Sequence, residues 1–134
     1  MRIKIDGEFY DHFSGLSISL KLDVIASVFS FNARFNQNNP DHKKIFKPLT
    51  YKTVEIFNSD GDLILTGVIV NHGFTSTKKP NLLALSGYSK AGVLEDCTVP
   101  VSSYPLESIN RSLKDVGSRL LSLFGIDLII DTSA

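Results

Sequence analysis

The sequence predicts a mainly β (α+β) chain: a small antiparallel β-barrel of five to six strands, followed by one amphipathic helix and a strand that begins a second domain. Three observations carry this. Residues 52–57 and 63–70 read as strands that meet across Asn58-Ser-Asp-Gly-Asp62, a polar loop in which Gly61 can take a positive φ; this is the strongest hairpin signal in the chain. Residues 16–24 and 29–35 alternate apolar and polar with a period of two. From Pro105 onward the apolar spacing changes to three and four.

A chain of 134 residues, 43% hydrophobic and 21% charged, suits one core and is short for two. The barrel is assigned to residues 1–100 and the helix and last strand to 101–134. Fourteen basic and fourteen acidic residues cancel, so no global field gathers nucleic acid, anionic membrane or acidic substrate. A single cysteine, Cys97, excludes an internal disulfide and multi-cysteine metal motifs. Together with the absence of a signal-peptide pattern, this fits synthesis in a cytosol. No apolar run reaches the roughly 18 residues of a membrane-spanning helix, so a soluble chain is expected.

Taken in order, residues 1–5 form a short strand stopped by Asp6-Gly7, a turn pair. In 16–24 the leucines, isoleucine and valine face one side and Ser17, Ser19, Lys21 and Asp23 the other. Phe29, Phe31, Ala33 and Phe35 repeat the pattern as a hydrophobic layer. Residues 36–49 lose all periodicity and predict a long exposed loop, of a length that in compact domains is often functional. In 63–70 both alternating sets are apolar, which predicts a strand covered on both faces. Residues 71–80 lead into a further strand over 81–87. With five or six strands and short connections, a closed or nearly closed barrel is the economical way to avoid apolar edges.

In the last third, Pro105 suits a first helical position, and Leu106, Ile109, Leu113, Val116, Leu120 and Leu123 form one stripe. Gly125 supplies a left-handed stop, and Gly117 marks a close approach to the helix. Residues 126–131 read as a strand.

The chemistry-bearing residues are sparse. His12, His42 and His72 are far apart and none stands in a ligand spacing, so no metal and no cofactor is expected. Glu95 and Asp96 are adjacent and diverge in any regular element, which leaves Asp96 to cap a turn or pair with Lys90. Cys97 reads as a small buried apolar thiol, and neither Ser14-Gly15 nor Ser86-Gly87 has the frame of a nucleophile elbow. An enzyme is not expected. Lys43, Lys44, Phe46, Lys47 and Tyr51 are the nearest approach to a basic patch with aromatics interleaved, although Asp41, Glu55 and the zero net charge favour a mixed solvated loop over nucleic-acid binding.

One stretch is more specific. Ser86-Gly-Tyr-Ser-Lys-Ala-Gly-Val-Leu-Glu-Asp-Cys97, preceded by Leu65-Thr-Gly-Val-Ile69 and followed by a helix ending in Phe124-Gly-Ile126, resembles the N-terminal part of the baseplate hub protein of Mu-like contractile-tailed phages. Leu22-Asp-Val-Ile-Ala-Ser-Val-Phe-Ser-Phe31 looks like another of the family's segments. The resemblance implies a non-enzymatic virion subunit, made in the bacterial host cytoplasm. It would trimerise at the tail baseplate and join the tail tube to the central spike, as related hubs do in T-even phages and type VI secretion. Tyr88 stands where the family often has Arg, and the family's proteins are longer. On this view the contact patches are the 36–49 loop and the 74–80 turn, with Asn36, Asn39, Asp41, Lys43, Lys44, Phe46, Phe74, Lys78 and Lys79 as interface candidates. The alternatives are a hub of another contractile injection machine, or a small oligonucleotide- or carbohydrate-binding barrel.

Overall fold

The computed structural model of the chain describes residues 1–75 and 82–130. It forms two compact units, Met1–Gly92 and Val93–Ala134.

In the first unit the strands are β1 (Arg2–Ile5), β2 (Glu8–Tyr10), β3 (Phe13–Ser19), β4 (Val28–Arg34), β5 (Thr53–Phe57), β6 (Leu63–Thr75) and β7 (Leu82–Ser89), with a short helix α1 (Pro40–Ile45) between β4 and β5. All are antiparallel neighbours in one seven-stranded sheet of order β2-β1-β5-β6-β7-β4-β3, curled into a half-barrel. The curl follows from connectivity. The two edge strands, β2 and β3, are consecutive in the chain and joined only by Asp11 and His12, so the sheet must bend far enough to bring the end of β2 to the start of β3. Two bonds stitch that corner to the end of β4: Tyr10 Oη donates to Arg34 O at 3.0 Å, and Arg34 N donates to His12 O at 3.1 Å.

The extra strand relative to the sequence reading comes from the opening segment. Asp6 and Gly7 have φ of 51° and 85°, the pair of left-handed residues that a two-residue hairpin turn requires. The turn therefore continues into β2 instead of ending the element. The hairpin at 58–62 forms as its sequence indicates: Asn58 Oδ1 accepts from Asp60 N and Asp62 N at 2.9 and 2.8 Å, and Gly61 has φ 95°.

The core is the concave face of this sheet. Ile3, Ile5, Val54, Ile56, Leu65, Ile69, Phe29, Phe31, Leu83 and Leu85 are all buried there, and no polar residue is buried among the described residues. The phenylalanine layer anticipated on β4 is real, with Phe29 and Phe31 stacked at 6.3 Å and Phe13 edge-on to Phe31 at the same separation. Two expectations fail here. The strand read over 16–24 ends at Ser19, where its register with β4 stops at Val28; residues 20–27 are a connection, and Leu20, Leu22 and Ile25 are exposed. Alternation shows which side a residue would face, not whether a partner strand reaches it. Nor is β6 covered on both faces. Leu65 and Ile69 are buried, whereas Ile64, Val68 and Val70, which alternate with them onto the other face, are exposed or half-buried, and Leu63 is exposed beside the register shift between Ile56 and Phe57.

The glycines of the motif at 86–92 have a packing reason. A Cβ at Gly87 would lie 1.9 Å from Val68 O and 2.7 Å from the Phe29 ring, and one at Gly67 would lie 2.4 Å from Tyr88 O. So β6 and β7 approach each other closely across Phe29 only because both positions lack side chains. Gly92 faces the Tyr88 ring, where a Cβ would come within 2.4 Å.

In the second unit, α2 (Val93–Asp96) is followed by α3 (Leu113–Ser122). The helix begins eight residues later than Pro105 suggests. Asn110 is left-handed (φ 56°), and Ser112 with Asp115 forms a capping box in which Asp115 N donates to Ser112 Oγ at 3.1 Å. Leu106 and Ile109 therefore precede the helix. Gly125 is left-handed (φ 64°), as expected of a helix stop. Residues 126–130 form no strand. Instead Leu128 seats against the helix, where a Cβ on Gly117 would meet it at 2.7 Å.

Candidate docking surface

The antiparallel registers place the Asp6-Gly7 turn, the end of β4, the start of β5 and the 75/82 ends of β6 and β7 toward one end of the sheet. Along β6, β5 covers residues 63–68 on one side and β7 covers 67–75 on the other. The later half of β6 is thus left without a second strand among the described residues. Residues 35–52 fill that gap. Lys52 O accepts from Ile69 N at 2.9 Å, and the Phe35 ring lies 5.5 Å from Phe74.

This segment contains most of the interface candidates and is more ordered than its sequence suggests. Asn36 Oδ1 accepts from Asn38 N at 2.9 Å, and Asn36 N donates to His42 Nδ1 at 3.1 Å. Asn39 caps α1 by accepting from Asp41 N at 2.9 Å. Asn36 and Asn39 thus shape the segment through local bonds. Phe46 corrects the sequence reading: it is 1% exposed, with its ring 5.3 Å from Tyr10 and 6.3 Å from Phe35. It plugs the half-barrel and presents nothing to a partner. Asp41, Lys43 and Lys44 are exposed, and so is Phe74. Lys78 and Lys79 lie outside the described residues.

Beside α1 a hollow of about 300 Å³ is lined by Asp6, Glu8, Asp41, Lys44 and Lys52 with Ile5 and Ile45. Asp6 accepts from Lys52 Nζ, from Thr53 N at 3.1 Å and from Thr53 Oγ1 at 3.3 Å. The Lys52 bond holds the Asp6 carboxyl below the ordinary carboxylate range, assisted by the Thr53 N–H and opposed by slight burial. In the interval below about pH 4 the unfolded chain binds more protons at this site than the folded one, so its stabilisation is present at neutral pH and lost on acidification. Asp6→Asn, which tolerates the same left-handed φ, is expected to cost about 1 kcal/mol at pH 7. The difference from wild type should close near pH 2 in urea titrations.

A second surface is only faintly marked in the sequence. On the convex face, Ser30, Asn71 and Ser86 line two adjoining hollows of about 340 and 390 Å³, together with Gly15, Ser17, Asn32, Gly73 and Ala84. No charged residue borders either. The signal was available as small polar residues on the outward positions of β3, β4 and β7, since Asn32 pairs with Ala84 and Ser30 with Ser86. In the second unit, Leu106, Val116 and Leu120 floor a hollow of about 440 Å³. Its wall is held by Arg119, which donates to the carbonyls of Ser103, Pro105 and Glu107 at 3.3–3.4 Å.

The remaining chemistry-bearing residues do not converge. No group of three or more metal-ligating side chains occurs among the described residues. His72 Nε2 is buried with no hydrogen-bond partner, and burial holds its pKa below the usual histidine value. Cys97 is exposed, not buried as its residue type suggests, because it falls just after the short α2 on the smaller unit. No ion pair joins Asp96 and Lys90 among the described residues.

No family model matches the sequence, and no curated protein matches it. Solved structures do share the fold. A tail protein from Neisseria meningitidis MC58 superposes on 74% of the chain at 24% identity and a TM-score of 0.57. The prophage MuSo2 43 kDa tail protein from Shewanella oneidensis superposes on 98% at 18% identity and a TM-score of 0.74. The chain spans 27% and 38% of the lengths of those two proteins. Its half-barrel and following helix are therefore a fold that recurs within larger tail proteins.

Proposed function

We propose that the chain is a structural component of a phage tail, acting as a baseplate hub that trimerises and joins the tail tube to the central spike. The observation that carries this is the superposition of 98% of the chain on the prophage MuSo2 43 kDa tail protein. The character of the surface supports it. The hollows on the convex face are lined by uncharged residues, small polar ones together with Val28, Val70 and Tyr88, and the most chemically varied segment, 36–52, is built into a rigid end of the sheet by its own caps and by Phe46. Such a body suits positioning and docking, and the protein works without catalysis. A trimer would be cyclic, each copy using two different patches. A hub of a type VI-like injection machine has the same mechanical requirements and is the alternative.

Light scattering coupled to size exclusion on the full-length gene product, followed by co-purification with the tail tube and spike proteins of the same genome, tests the proposal. A trimer that retains both is the expected result. A monomer that retains neither overturns it.

A further inference from the structure

Two residues between α1 and β5 have features that folding does not explain. Leu49 and Tyr51 have φ of 60° and 47°, a left-handed conformation that bulky side chains avoid. Burial does not offset this, because Leu49 is 78% and Tyr51 58% exposed. Thr50 Oγ1 donates to Lys47 O at 2.7 Å and helps to hold the turn. Strain retained by a fold at exposed apolar residues points to use of those side chains elsewhere. In the same segment Lys43, Lys44 and Lys47 are exposed. None of the three makes an ion pair among the described residues, where the ion pairs are Lys4 with Glu55 and Lys52 with Asp6.

We propose that this loop docks on another protein of the tail, at an apolar hollow ringed by carboxylates. The inference rests on the tail-component reading and names the surface that reading requires. Leu49 and Tyr51 form the dehydrated centre of the contact, and the three lysines set its orientation and its rate of encounter. A nucleic acid is the poorer occupant. Leu49 offers no face for base stacking, and a chain with fourteen basic and fourteen acidic residues has no net field to gather a polyanion.

The test measures binding of the wild-type chain and two variants to recombinant tail tube and central spike proteins of the same genome by interferometry, at low and high salt. In L49G/Y51G, glycine adopts the left-handed backbone freely. Its melting temperature should therefore hold or rise by a few degrees while affinity falls at least tenfold. K43E/K44E/K47E should also lose at least tenfold in affinity and most of its salt dependence. Variants that bind like wild type overturn this inference and leave the tail reading intact. A fall of melting temperature in L49G/Y51G overturns it too, since these residues would then serve the fold. Lysine-dependent binding of the single strand (dT)30 would reassign the loop to nucleic acid. A change in the chain's own oligomeric mass in either variant would reassign it to a second copy. A wild-type chain that binds neither protein overturns the docking together with the reading beneath it.

Discussion

Gly87→Ala is expected to cost about 3 kcal/mol of folding stability, a fall in melting temperature of about 15 °C for a unit of this size. The added methyl has no room to move into. It would sit 1.9 Å from a backbone oxygen, Val68 O, and 2.7 Å from the fully buried Phe29 ring. Relief would require parting β6 from β7, and these strands carry the longest ladder of the sheet. Gly73→Ala, in the same strand pair, is the internal control. There the methyl would meet only Ala84, at 3.5 Å, an ordinary contact, and a change within about 0.5 kcal/mol is expected. Thermal unfolding followed by circular dichroism decides the matter. If Gly87→Ala melts within a few degrees of Gly73→Ala, the close approach of β6 and β7 is not what holds glycine at 87.

Phe46→Ala is expected to cost about 4 kcal/mol, and Phe46→Leu less than about 1.5 kcal/mol. The ring is buried and edge-on to Tyr10, Phe35 and His42, so truncation opens a cavity where the 35–52 segment covers the exposed half of β6. Six residues of α1 cannot sustain a helix alone; its order depends on this anchor. The consequence extends beyond stability, because Lys43, Lys44, Leu49 and Tyr51 are placed by the same segment. Chemical denaturation measures the loss, and limited proteolysis should map new cleavage to residues 36–52. A loss below about 0.5 kcal/mol would mean that Phe46 is a surface residue after all, as the sequence pattern implied.

These two residues illustrate what could be read in advance. The phenylalanine layer of β4, the 58–62 hairpin, the stop at Gly125 and the β-rich class were legible because each rests on local rules: alternation, turn chemistry and the backbone freedom of glycine. Two further signals are equally local. The left-handed pair Asp6-Gly7 is a hairpin turn, and Ser112 with Asp115 caps a helix more strongly than Pro105 begins one. Each moved an element boundary.

Other features were not local at all. Phe46 sits in a run of polar and turn-forming residues and is buried only because β5 and β7 pair with different halves of β6, which opens a gap that something apolar must fill. Leu20 and Leu22 continue a regular alternation into a stretch that no neighbouring strand reaches. The sheet's curl is set by the two-residue link between its edge strands, and its tightness by Gly67 and Gly87 over Phe29. By itself, then, the sequence determined which residues can form strands, turns and a helix, because those choices are made within a few residues. The tertiary structure alone decided which apolar residues are core and which are left at the surface, because burial depends on the stagger of strands distant in the chain.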